Sequence, residues 1–282
     1  MSVTNQVKTV LLLGVLTGLL LAVGGLIGGK GGLIVALAFS TLLNFGAYWF
    51  SDKIVLAMYR ARPADRKANA SLHKAVEDVA ASAGIPKPAV YIIPSDAPNA
   101  FATGRSPKHA AVACTEGIMG LLTERELKGV IAHEISHVRN RDVLVTTIAA
   151  TIAGVISYLA YMAQFAALFG RRDDNRGGNA VGLIVVAIIT PMIALFLQLA
   201  ITRSREFLAD YTGAKMMGEA EPLASALSKL DRGTLHHKLG LGNEATASLF
   251  IVNPLKGQNV LAWLSTHPPI EERVRRLKAM KF

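Results

Sequence analysis

Four stretches without a charged side chain decide what this chain can become. They cover residues 9–29, 31–51, 143–170 and 177–202. Each is long enough for the about 20 helical residues that cross a hydrocarbon core. A buried helix of a soluble domain is shorter and keeps one polar face. The pattern therefore predicts four transmembrane helices in two hairpins. Gly28-Gly29-Lys30-Gly31-Gly32 leaves room only for a tight reversal within the first pair. That first stretch is expected to be a retained anchor rather than a removable leader. Only Lys8 immediately precedes it, no clear A-x-A cleavage site follows, and another span begins at once.

Composition agrees. Of the 282 residues, 18% are charged and 51% hydrophobic, against about 25% charged in ordinary soluble domains. Mean hydropathy is +0.38. These values exclude a disordered chain and argue against a purely soluble one. The single Cys114 excludes an internal disulfide and any Cys-rich zinc or iron–sulfur site.

The net charge of +10 is unevenly spread. Lys8, Lys53, Arg60, Arg62, Arg66, Lys67, Arg139, Arg141, Arg203 and Arg205 fall on one side of a four-span arrangement. Lys30, Arg171, Arg172 and Arg176 fall on the other. The basic side is expected to be cytoplasmic. Both polar segments share it, which gives four units: a transmembrane hairpin (1–51), a first polar segment (52–142), a second hairpin (143–202) and a second polar segment (203–282). The basic run Arg273, Arg275, Arg276, Lys278 and Lys281 reads as a solvated face with lipid headgroups nearby. No interleaved aromatics suggest nucleic acid as a partner.

Local patterns place the polar segments. Residues 65–83 have helical spacing, with Leu72, Val76 and Val79 on the apolar face. Residues 89–93 and 110–114 read as short strands separated by the Pro/Gly-rich run 94–107. Thr123 and Glu126 form a capping-box pattern ahead of a helix carrying Leu127, Val130, Ile131, Ile135 and Val138. The last segment reads as mainly helical, ending in a helix over 271–280. The expected fold is thus a mainly helical membrane protein with a small α+β domain on its cytoplasmic side.

On the helix after Thr123 stands His133-Glu134-Ile135-Ser136-His137. Histidines at i and i+4 share one helix face and can grip one metal ion, zinc above all. Glu134 sits at the same rim and can take a proton from a water that the metal activates. A catalytic zinc generally takes a third protein ligand. Glu206, in Arg203-Ser204-Arg205-Glu206-Phe207-Leu208-Ala209-Asp210, could supply it, and Asp210 could orient a ligand histidine. The same spacing also suits an exposed acidic pair balanced by Arg203 and Arg205.

Taken together, these residues resemble a known family. HEISH before a long apolar hairpin, followed by SREFLAD, is similar to the HtpX family of membrane zinc metalloproteases. More distantly it resembles the CaaX-processing membrane proteases. The likeness extends to the first hairpin, to Asn99-Ala100-Phe101-Ala102-Thr103-Gly104 and to Thr266-His267-Pro268-Pro269. The resemblance implies a gluzincin-type endopeptidase with one Zn2+ per chain in the bacterial inner membrane, its active site facing the cytoplasm. It implies His133, His137 and Glu206 as zinc ligands, Glu134 as general base and Asp210 as the partner of a ligand histidine. Its implied role is membrane-protein quality control and stress response, with unfolded or membrane-protein segments as substrates. His267 is expected either to stabilise the oxyanion or to shape a turn. Asn99 opens a segment that either pairs with substrate backbone or is only a loop. Two other classes fit the residues less well. A scaffold with a closed structural metal site would need a fourth ligand with no obvious candidate. A transporter would be expected to carry charged groups within its spans, and none of the four contains a charged residue.

Overall fold

Helix α1 (Val3–Met58) reverses on itself at Gly29, which adopts φ 55° and ψ −136°. A side chain rarely tolerates that backbone, so glycine is the natural residue there. Asn44 ties the two arms together: its amide donates to Thr17 Oγ1 at 2.8 Å and to the Leu13 carbonyl at 3.4 Å. This is the tight hairpin expected from the glycine run. The structure is a computed structural model and describes residues 3–140, 142–144, 203–233, 251 and 268–282. The third and fourth apolar stretches, except for residues 143 and 144, lie outside the described residues. So do His236, His237, Trp263 and His267.

The second arm, Gly29–Met58, is the one helix among the described residues long and apolar enough to cross a membrane. Ile34, Val35 and Leu42 are about 70% exposed, a surface that water disfavours and lipid accepts. The arm runs past residue 51, where the apolar pattern ends. Its last turns bury Val55 and Leu56, and Tyr59 just beyond is buried too, against Ile93, Phe101, Ala111 and Ala113. The same helix thus leaves the apolar zone and becomes one wall of the sheet.

That sheet has the order β1-β2-β4-β3. Its strands are β1 (Arg62–Pro63), β2 (Ala89–Ile93), β3 (Ala100–Gly104) and β4 (Ala110–Thr115). β2 and β4 are parallel, and β3 is antiparallel to β4. Side chains alternate across a strand. Ala111 and Ala113 therefore face α1, while Ala110, Val112 and Cys114 face the main core. Burial on both faces explains why β4 is apolar from Ala110 to Cys114 instead of alternating. β3 lies inside the run 94–107, where Pro and Gly suggest a break. Pairing with β4 decides its conformation over local propensity.

Helices α2 (Ala70–Ala83), α3 (Glu116–Leu121), α4 (Glu124–Asn140), α5 (Arg203–Met217), α6 (Glu221–Gly233) and α7 (Ile270–Lys278) complete the described fold. α4 is central, with Leu127, Val130, Ile131, Ile135 and Val138 all buried. α2 begins later than its spacing suggests, because Asp65 accepts from the Lys67 and Ala68 amides and holds a turn first. His73 is half-buried and lies 3.0 Å from the Ala64 carbonyl through Nε2.

The capping box at the start of α4 is formed. Thr123 N–H donates to Glu126 Oε2 at 2.9 Å, and Glu126 N–H approaches Thr123 Oγ1 at 3.4 Å. The same carboxylate accepts from Ser225 Oγ at 2.6 Å and Lys229 Nζ at 2.7 Å on α6. Burial opposes the charge, but Lys229, Ser225 and Thr123 outweigh it and hold Glu126 down to about 2. A folded-state pKa below the ordinary 4.5 means full stabilisation above that value. The contribution disappears as pH falls from 4.5 towards 2. Glu126→Ala is expected to cost about 2–3 kcal/mol at neutral pH. Thermal unfolding in detergent, followed by circular dichroism, should show the two melting curves converging through that acid window. A constant offset at every pH would contradict the assignment.

Candidate active site

His133 and His137 lie one turn apart on α4, with ring centroids 4.8 Å apart at an interplanar angle of 89°. Their Nε2 atoms are 3.3 Å apart. α5 crosses α4 at this point, and Gly213 makes the crossing possible. A Cβ there would sit 2.9 Å from the His133 backbone nitrogen, closer than packed backbone allows. The crossing brings Glu206, two turns earlier on α5, to the histidines. Its Oε1 is 3.4 Å from His137 Nε2, and its Oε2 is 3.6 Å from His133 Nε2. The three potential ligand atoms lie within 4.8 Å of one another. His133 and Glu206 are each 2% exposed, which removes the reading of Glu206 and Asp210 as an exposed acidic pair.

Asp210 follows Glu206 by one turn, and its Oδ1 is 2.9 Å from His133 Nδ1. Glu134, also buried, turns toward the sheet, where its Oε2 accepts the Ala102 N–H of edge strand β3 at 2.9 Å. Asn99 opens that strand. Its N–H donates to Thr115 Oγ1 at 2.9 Å, and its Oδ1 accepts from Ile251 N–H at 3.2 Å. These bonds fix where β3 starts. His267 lies outside the described residues.

Two charged residues near the site escaped the sequence reading. Arg273, assigned above to a solvated face, is fully buried. Its Nε donates to Asp210 Oδ2 at 2.9 Å and its NH2 to Asp210 Oδ1 at 2.7 Å, a bidentate pair. Its NH1 is 3.7 Å from Glu206. A signal existed: Arg273 sits on the stripe of Ile270, Val274 and Leu277, which packs on the core. Asp142 is the other, 3.6 Å from His137 Nδ1 and 3.5 Å from Arg205. It follows the end of α4, where no periodicity could mark it.

Charge in this pocket is unbalanced in a way that favours a cation. Glu134, Asp142, Glu206 and Asp210 face the two guanidinium groups of Arg205 and Arg273. Burial opposes charge on His137, yet Asp142 and Glu206 outweigh it and push it up to about 10. His133 is raised too, with Asp210 and Glu206 prevailing over burial and Arg273. Asp210 is held down to about 2, as Arg273 and His133 overcome its burial. Two imidazole nitrogens and one carboxylate at one point suit a divalent transition metal, which can replace the protons. Burial, with Glu134 as a lesser cause, pushes Cys114 up to about 12, so its thiol stays neutral and inert.

Comparison with known proteins gives the family. A family model described as peptidase family M48 matches residues 66–281. The chain is 50% identical over 280 residues to a protease HtpX homolog of Syntrophobacter fumaroxidans, covering 98% of this chain and 99% of that one. It is 52% identical over 279 residues to a protease HtpX homolog of Pyrococcus furiosus, covering 99% and 96%. Among solved structures, S. mikatae Ste24p matches with a TM-score of 0.51 and 18% identity, a likeness of fold. That match covers 98% of this chain but 66% of Ste24p, so the chain spans about two thirds of that protein. With the family model spanning residues 66–281 and near-full-length identity of about half, the chain belongs to peptidase family M48 and, within it, to the HtpX proteases.

Proposed function

We propose that this chain is a zinc-dependent endopeptidase of the cytoplasmic membrane. Residues 1–51 and 143–202 anchor it through four spans. Residues 52–142 and 203–282 form one catalytic domain at the cytoplasmic face. Its substrates are unfolded or damaged segments of membrane proteins. The observation that carries this reading is the convergence of His133, His137 and Glu206, with Glu134 beside them. The apolar arm Gly29–Met58 and its attachment to the sheet support a domain held against the bilayer.

His133, His137 and Glu206 would hold the zinc ion through Nε2, Nε2 and a carboxylate oxygen. Bound there, zinc supplies a Lewis acid that lowers the pKa of water towards about 7 and polarises a carbonyl. Glu134 takes a proton from the attacking water as its oxygen bonds to the scissile carbonyl carbon. When the C–N bond breaks, Glu134 returns that proton to the leaving amine nitrogen. The Ala102 amide fixes the Glu134 carboxylate for both transfers. Asp210 holds His133 by its Nδ1–H, so that Nε2 keeps its lone pair for the metal. β3 lies on a sheet edge beside Glu134, where an extended substrate can add its backbone. Asn99 keeps that strand in register, and His267 is assigned to the oxyanion.

Purified protein in detergent is expected to cleave casein, to lose the activity on chelation and to recover it with added zinc. Metal analysis should give one zinc per chain. Cleavage that persists in demonstrably metal-free protein would overturn the reading.

A further inference from the structure

We infer that the turn between β3 and β4 is a docking surface for anionic phospholipid headgroups. The inference rests on reading the second arm of α1 as a membrane span. Starting at Gly29, about 20 residues, or about 30 Å of helix, cross the hydrocarbon core. That count ends at Trp49. Trp49 and Phe50 are 42% and 46% exposed, as side chains at a bilayer boundary are. One turn on, the Lys53 ammonium lies 5.6 Å from the Phe50 ring centre.

β3 runs back along this helix towards that boundary. Phe101 lies against Tyr59, with centroids 5.2 Å apart. Arg105 lies against Trp49, its guanidinium carbon 4.7 Å from the ring centre, and its NH1 donates to the Trp49 carbonyl at 3.3 Å. Ten helical residues from Tyr59 to Trp49 rise about 15 Å, and four extended residues from Phe101 to Arg105 cover about 13 Å. The two lengths match, so the strand is antiparallel to the helix and delivers its end to the level of Trp49. The turn it enters, Arg105-Ser106-Pro107-Lys108-His109, carries two fixed cations and no acidic residue. Lys108 and His109 are exposed. Ser106 Oγ and His109 Nδ1, 3.0 Å apart, brace the turn. A basic tip held at headgroup depth matches the negative surface of an anionic leaflet.

The contact reaches the active site through a short path. Ala102, which donates to Glu134, lies on β3 three residues before Arg105, the first residue of the turn. Headgroups that restrain Arg105 also restrain the backbone that orients Glu134.

The full chain would be placed in nanodiscs of phosphatidylcholine alone and of phosphatidylcholine with phosphatidylglycerol. Hydrogen exchange over residues 100–110 and peptide hydrolysis would be read in both. Phosphatidylglycerol is expected to slow exchange in this segment and raise hydrolysis a few-fold, and high salt is expected to reverse both effects. Lys108→Glu, on an exposed side chain clear of β3, should weaken the response, and Arg105→Ser with Lys108→Ser should abolish it. Equal exchange in the two discs, or an undiminished response in the double variant, would overturn the inference. Protein that inserts but hydrolyses nothing would refute the protease reading alone, because the exchange measurement still reports the lipid contact. A chain that fails to enter the discs removes the membrane reading and this inference with it.

Discussion

Glu134→Gln is expected to lower peptide cleavage by about 10²–10⁴-fold, the range for loss of a positioned general base. The substitution is nearly isosteric. A glutamine carbonyl can still accept the Ala102 N–H that Glu134 accepts at 2.9 Å, so β3 and α4 should keep their places. What the amide cannot do is take a proton and hand it back. Zinc content should therefore stay at the wild-type level while turnover collapses. Metal analysis beside the cleavage assay separates this outcome from loss of the site. Cleavage within a few-fold of wild type would remove Glu134 as the base.

The second large effect is expected at Arg273. Its guanidinium is fully buried and is bidentate to Asp210, with Glu206 at 3.7 Å. Arg273→Met keeps most of the volume and deletes the charge. Asp210 and Glu206, both 2% exposed, then lose a buried counter-ion. Breaking one side of such a pair costs about 3–5 kcal/mol. The melting temperature of chelated protein in detergent should fall accordingly. Arg273→Lys should recover only part of the loss, because an ammonium cannot reproduce the two-pronged contact. A melting temperature unchanged in Arg273→Met would show that Asp210 finds its balance elsewhere.

Arg273 also shows where sequence reading stops. In the run Arg273, Arg275, Arg276, Lys278, all four look alike, yet Arg276 pairs with Glu272 at the surface while Arg273 lies inside. Only its place on the Ile270–Val274–Leu277 stripe hinted at burial. β3 behaved similarly. Its two Ala residues and its Gly carry little strand preference, and the hydrogen bonds of β4 supply what propensity does not.

Some features were fixed by residues near one another in the chain. The first hairpin follows from a glycine run between two uncharged stretches, because Gly29 accepts the left-handed backbone that reverses the helix within a few residues. The His133–His137 pair and the Thr123–Glu126 cap follow from helical spacing alone. The spacing of Glu206 and Asp210 was equally legible, but their use was not. Seventy-three positions separate His133 from Glu206, and spacing within a helix says nothing across that distance. The tertiary structure decided it. Gly213 lets α5 close on the His133 backbone, and the buried Arg273 holds two carboxylates there that would otherwise repel each other.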